Sequence, residues 1–194
     1  VTLGPYTLLE EIGHGNMGVV YRATKPGLVR DFALKVMLGE QDEESVQRFR
    51  LEAQVASKLN DRGIVAVFDI GTAQGRHYYV MDYCPGPTLA GRIKTEGRLD
   101  PEDAATILAK VARTMHRAHA KGVLHRDLKP ANILLGESKD EHPRIADFGL
   151  AKDWTLKRNL TQTGDILGTP YYMSPEQFRG KGVDHSSDIW AMGV

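Results

Sequence analysis

The sequence holds a single cysteine, Cys84, in 194 residues. No internal disulfide can form, and a reducing, cytoplasmic setting fits such a chain best. No basic-then-apolar leader opens the sequence. No apolar run approaches the ~20 residues that a bilayer span needs. Neither sign of charge is in excess, since Lys+Arg and Asp+Glu are both 25. That balance gives no reason to expect nucleic acid or an acidic membrane as a partner. Internal repeats and low-complexity stretches are lacking too. Both ends are expected to lie inside a longer protein. The chain starts at Val1, and Asp188-Ile189-Trp190-Ala191-Met192-Gly193-Val194 reads as the interior of an apolar segment. A membrane anchor elsewhere in such a parent stays open.

What is present is an ordinary globular composition, 41% hydrophobic and 26% charged. The length suits one sizeable domain or two lobes. Short β-type runs are expected at 6–12, 19–23 and 32–37. A helix follows over 43–59, where Val46, Phe49, Ala53, Ala56 and Leu59 share one face. Two more strands are expected at 64–70 and 77–82. Pro85-Gly86-Pro87 then forms a rigid connector that no helix or central strand tolerates. The lobe boundary is placed there, giving lobes 1–84 and 85–194. Asp100-Pro101-Glu102-Asp103 starts a second helix, with Ile107, Leu108, Val111, Ala112, Met115 and Ala118 as its buried stripe and Gly122 as its end. Short strands at 133–135 and 144–146 flank a polar turn. Residues 147–176 form a long irregular loop, a length that tends to be functional. The expected fold is α+β: a small antiparallel β lobe with one helix, joined to a mainly helical lobe, with a ligand cleft at the seam.

Several residues carry chemistry. Gly13-His14-Gly15-Asn16-Met17-Gly18-Val19-Val20 matches G-x-G-x-x-G-x-V. Because a β-type run follows, it reads as a strand–loop–strand flap able to close over phosphates, or as a plain hairpin turn. Lys35 is a cation inside an apolar strand, with Leu34 and Val36 facing the other way. It either snorkels at an edge or aims at phosphate oxygens. In the second case it needs an acid. Glu52 is the candidate, because an acid within an apolar helical stripe needs a partner. Asp127, Lys129 and Asn132 crowd one loop. A carboxylate can accept a hydroxyl proton, an ammonium can neutralise phosphate, and an amide oxygen can bind a hard cation. Asp147-Phe148-Gly149 adds a second oxygen ligand with a flexible hinge behind it.

In this order, the glycine loop, Lys35, His125-Arg126-Asp127-Leu128 with Asn132, Asp147-Phe148-Gly149 and Ser174-Pro175-Glu176 resemble the protein kinase signature set. Lys129 resembles the serine/threonine branch. Met17, Thr161-Gln162-Thr163 and Gly168-Thr169-Pro170 resemble bacterial eukaryotic-like kinases. The resemblance implies a two-lobed kinase fold with an incomplete C-lobe, and ATP- and Mg²⁺-dependent phosphorylation of Ser/Thr hydroxyls of proteins. Lys35, held by Glu52, would bind the α- and β-phosphates. Asp127 would orient the substrate hydroxyl and accept its proton, and Lys129 would meet the γ-phosphoryl group. Asn132 and Asp147 would hold magnesium, and Thr169 would bond Asp127 and Lys129. Ile12, Gly13, Gly15 and Gly18 would border the nucleotide. Val20, Ala33 and Leu134 would sandwich the adenine, Met81 would back it, and backbone groups of Asp82 and Cys84 would bond it. Phosphorylation of Thr161 or Thr163, paired with Arg126, is the expected control.

Ser174 stands where the family has Ala, a small-for-small change expected to matter little. In the family, helices beyond Asp188-Ile189-Trp190 bury that segment and give Glu176 a basic partner. Without them Ile189, Trp190 and Met192 are expected to be exposed and this piece to be weakly stable and inactive. Two rivals remain: a pseudokinase scaffold that binds ATP without transfer, and a small-molecule phosphotransferase. The first usually lacks Lys35, Asp127 or Asp147, and all three are present.

Overall fold

The apolar alternation over the first forty residues resolves into an antiparallel sheet. The computed structural model describes residues 1–15, 18–38, 42–138, 141–148, 170–180 and 182–194. The chain divides into two units, Val1–Asn60 with Val65–Cys84, and Asp61–Ile64 with Pro85–Val194. The first unit carries β1 (Thr2–Leu3), β2 (Tyr6–Gly15), β3 (Gly18–Thr24), β4 (Asp31–Met37), helix α1 (Glu43–Lys58), β5 (Val67–Ala73) and β6 (Arg76–Asp82). The sheet order is β1-β2-β3-β4-β6-β5, with antiparallel neighbours throughout.

Strand β4 is central and buried on both faces. Phe32, Leu34 and Val36 join Leu3, Tyr6, Ala23, Tyr78 and Val80 in one apolar cluster. Ala33, Lys35 and Met37 therefore point to the opposite face. Gly18 opens β3 because a Cβ there would meet the Val36 carbonyl oxygen at 2.5 Å. Helix α1 is started by Asp42, whose carboxylate accepts the Ser45 N–H at 2.8 Å. Phe49, Glu52 and Ala53 are its buried residues. Strand β5 begins three residues later than the apolar run suggested. A two-residue turn, Gln74 (φ 52°) and Gly75 (φ 72°), joins it to β6.

The second unit contains α2 (Leu89–Glu96), α3 (Pro101–Ala120), β7 (Ile133–Leu134), β8 (Arg144–Ile145), α4 (Pro175–Arg179) and α5 (His185–Gly193). Asp100 caps α3, accepting the Glu102 N–H at 2.9 Å, with Pro101 in the first turn. Val111, Thr114, Met115 and Ala118 are buried on α3, whereas Leu108 is 44% exposed and does not join the expected stripe. Thr114 tolerates burial because its hydroxyl donates to the Lys110 carbonyl at 3.1 Å and accepts from Arg117 at 3.2 Å.

The division does not fall at one point in the chain. Asp61–Ile64 lies between α1 and β5 in sequence but groups with the second unit. Arg117 forks onto the Asp61 carboxylate, with one arm at 2.8 Å. That guanidinium holds the Asp61 carboxyl at about 2, well below its usual value. The Gly63 carbonyl accepts the Ile145 N–H at 2.8 Å. A Cβ on Gly63 would sit 2.2 Å from Thr114 Oγ1, so this approach requires glycine.

Candidate active site

Each unit brings together its own set of the candidate side chains. In the first, the register of β4 against β6 sets Lys35 opposite Tyr79 on one sheet face. Glu52 reaches the same place from α1. Lys35 Nζ donates to Glu52 Oε1 at 2.9 Å, and the Tyr79 hydroxyl donates to the same oxygen at 2.8 Å. All three residues are buried, Glu52 to 4% exposure. A charge pair at that depth needs more than Coulomb attraction, because desolvation of both ions opposes it. The Tyr79 hydroxyl supplies an extra bond to the carboxylate. Lys35 does not snorkel at a sheet edge, since β4 is an interior strand.

The glycine-rich segment is a strand–loop–strand hairpin. Gly13 pairs with Val20, His14 with Val19 and Gly15 with Gly18. Asn16 and Met17 lie outside the described residues. On β3 and β4, Val20 is partly buried and Ala33 buried. Met81 is buried on β6, and Ile12 on β2 is exposed. The Asp82 N–H donates to the Ala66 carbonyl at 2.9 Å. Any bond from Asp82 to a base therefore falls to its carbonyl. Cys84 is half-buried at the end of this unit.

In the second unit the polar loop after α3 is fixed from several sides. Asp188 on α5 accepts the backbone N–H groups of His125 at 2.9 Å and Arg126 at 2.8 Å. His119 also bonds the Asp188 carboxylate, at 2.8 Å. Gln177 Nε2 donates to the Arg126 carbonyl at 2.8 Å. The His125 ring is buried. Its Nδ1 accepts the Asp127 N–H at 3.2 Å, which leaves Nε2 to donate to the Ala146 carbonyl at 3.0 Å. Burial pushes the imidazole pKa down, against opposing pulls from Asp188, the Ala146 carbonyl, Asp127 and Asp147. Neutral His125 thus ties the loop to β8 and its exit.

On this frame Lys129 Nζ donates to Asp127 Oδ2 at 3.0 Å. Asn132 Nδ2 donates to the Asp127 carbonyl at 2.9 Å, which turns its amide oxygen to the other side. The paired strands β7 and β8, with Ile133 and Ile145 buried, anchor both ends of the group. Leu134 is partly buried on β7. Asp147 has a left-handed backbone, φ 55°, a region that Asp enters more readily than most residues. Phe148 is buried against the His125 ring, centroids 4.7 Å apart. Thr161, Thr163 and Thr169 lie outside the described residues, as does Gly149.

Asp127, Lys129 and Asn132 thus come together, and so do Lys35 and Glu52. Three participants did not emerge from sequence reasoning: Asp188, Tyr79 and Gln177. The rule that singled out Glu52, an acid amid apolar residues, applies equally to Asp188 beside Ile189 and Trp190. Ser174 also does more than fill small space. Its hydroxyl caps α4, accepting the Gln177 N–H at 3.3 Å, and donates to Ser187 at 3.0 Å. Ser187 in turn donates to Glu176 at 2.6 Å. This hydroxyl holds the Glu176 carboxyl below its usual range, so Glu176 has a neutral partner where, without the family's further helices, it was expected to lack its pair. Ile189 is 54% exposed and Trp190 48%.

A fold of this kind, bearing these motifs, is that of the protein kinases. The protein kinase domain family profile matches residues 6–194, and the chain belongs to that family. The serine/threonine-protein kinase PknB of Mycobacterium leprae is 39% identical over 194 aligned positions, which cover 97% of this chain and 31% of that protein. PrkC of Bacillus subtilis, also a serine/threonine-protein kinase, is 37% identical, over 98% of this chain and 29% of its own. The chain thus spans about a third of the length of these curated relatives. The crystal structure of the Mycobacterium tuberculosis PknI kinase domain matches with a TM-score of 0.73 at 32% identity, covering 99% of this chain and 72% of that one.

Proposed function

We propose that this chain is the catalytic part of a protein kinase that transfers the γ-phosphoryl group of ATP to serine or threonine hydroxyls of proteins. The observation that carries the reading is the Asp127–Lys129 pair, a carboxylate and an ammonium 3.0 Å apart on a loop anchored by Asp188. Asp127 accepts the hydroxyl proton as the oxygen attacks. Lys129 neutralises charge on the transferred group. Residues 1–84 act as the N-terminal lobe, where Lys35, oriented by Glu52, holds the α- and β-phosphates. Gly13, Gly15 and Gly18 let backbone approach the phosphates without side chains in the way. Ile12, Val20, Ala33 and Met81 contact the adenine, with the Asp82 carbonyl and the Cys84 N–H bonding it. Residues 85–194 act as a partial C-terminal lobe, adding Leu134 to the base and Thr169 to the Asp127–Lys129 pair.

Magnesium suits the oxygen set offered by Asn132 and Asp147. Among the described residues no cluster of three His, Cys, Asp or Glu side chains could hold a metal. Mg²⁺ does not need one, because it takes one or two protein oxygens and completes its shell with phosphates and water. Bound there, it would neutralise phosphate charge. Phosphorylation at Thr161 or Thr163, paired with Arg126, is the proposed control. Among the described residues no helix is long and apolar enough to cross a membrane. The use of ATP and a lone thiol fit action in the cytoplasm.

The test uses the full-length protein with ATP, Mg²⁺ and a generic protein substrate. Wild type should phosphorylate Ser/Thr, and Asp127→Asn should slow the rate ~10²- to 10⁴-fold. Equal rates, or no transfer by wild type, would overturn the proposal.

A further inference from the structure

We infer that Tyr79 is a positioning residue for phosphate binding, acting through Glu52; this rests on the kinase reading above. Three observations carry it. Tyr79 stands directly across the sheet from Lys35 on the adjacent strand, so both side chains leave the same face. Its hydroxyl and the Lys35 ammonium donate to one and the same oxygen, Glu52 Oε1, at 2.8 and 2.9 Å. Its ring packs against Phe49, one turn before Glu52 on α1, with centroids 5.0 Å apart.

The consequence is a division of labour. A phenylalanine would fill the same space and keep the Phe49 contact. Only the hydroxyl touches the carboxylate. Lys35 must share its charge with phosphates when nucleotide binds, which weakens its hold on Glu52. Tyr79 carries no positive charge to share with phosphates. Fixed in an interior strand, it keeps the Glu52 carboxylate, and with it α1, aimed at Lys35 while the ammonium turns to the phosphates. The Lys35 Nζ also lies 5.6 Å from the Tyr79 ring centroid, so the ring confines the ammonium as well. The acid–lysine pair is thereby assembled within the first unit.

Tyr79→Phe, Glu52→Leu and the double variant, made in the full-length protein, test this. Tyr79→Phe should lower kcat/KM for ATP about tenfold, the scale of a lost hydrogen bond to a charged group, and leave KM for the protein substrate unchanged. In the Glu52→Leu background the same change should have little further effect, because the acceptor is already gone. Amide hydrogen exchange across α1 should quicken in Tyr79→Phe. A wild-type rate in Tyr79→Phe, or an equal loss in both backgrounds, would overturn the inference. If wild type transfers no phosphate, the kinase reading fails instead. The exchange measurement still decides the Tyr79–Glu52 link, and unchanged exchange sinks it.

Discussion

Asp188 accepts the N–H of Arg126 at 2.8 Å, and Arg126 has a left-handed backbone with φ 65°. An arginine in that conformation is strained by ~1–3 kcal/mol and persists only where its surroundings hold it. Asp188 is 1% exposed and also takes the His125 N–H and the His119 ring. One buried carboxylate thus holds the backbone on which Asp127 stands.

Replacing Asp188 should therefore act on catalysis through geometry. Asp188→Asn keeps one acceptor oxygen and turns an amide donor toward another donor. The expected loss is ~2 kcal/mol of stability, with a fall in kcat larger than any rise in KM for ATP. Asp188→Leu should cost more, since every donor there loses its partner. Urea unfolding of the catalytic domain with steady-state kinetics checks both. Wild-type kcat in Asp188→Asn would mean that the loop holds its shape without this anchor.

The buried His125 imidazole makes a prediction in pH. Burial, its largest influence, lowers its pKa in the folded state. The unfolded chain then binds the proton more readily, and stability rises with pH where that proton is bound. The contribution of His125 is complete above about pH 6.5, the unperturbed value, and is lost as pH falls from there toward the depressed folded value. Stability of the catalytic domain should drop between pH 7 and 5. His125→Asn should flatten that slope at the expense of absolute stability. Identical slopes for the two proteins would show that other groups set the acid limb.

Strands β2 to β4 and β6 to β8, α1, α3 and the Asp127–Asn132 loop were legible because each shows locally, whereas β1 and α2 were not anticipated. Period-two alternation, an Asp-Pro helix start and an acid in an apolar stripe are signals within one short window. The Lys35–Glu52 bond followed from a single burial argument applied at both ends. What escaped depends on distance along the chain. Asp188 meets His125 across 63 residues, and nothing near 188 indicates which N–H groups it will accept. The Tyr79 hydroxyl is invisible in a run that reads simply as strand. The four-residue excursion Asp61–Ile64 escaped for the same reason, because it depends on Arg117 far downstream. Ser174 was passed over because size was weighed and its hydroxyl was not.

Stability and activity should separate at Lys35 and Glu52. The pair is buried and bonded at 2.9 Å, so removing one partner takes away the opposite charge that the other faces at that depth. Lys35→Met is expected to cost ~3–5 kcal/mol for that reason. Lys35→Met with Glu52→Leu removes both charges and both desolvation penalties, and apolar replacements of similar volume are often neutral or stabilising. The double variant should unfold at a denaturant concentration near wild type, less the cost of a Tyr79 hydroxyl deprived of the Glu52 oxygen. Neither variant should transfer phosphate at more than ~1% of the wild-type rate, because on the proposed reading the charge that holds the α- and β-phosphates has gone. Denaturation midpoints and phosphorylation rates, measured on the same preparations, decide the matter. A single variant as stable as the double would mean that the Glu52 charge is relieved by another route, and recovery of activity in the double would remove Lys35 from phosphate binding.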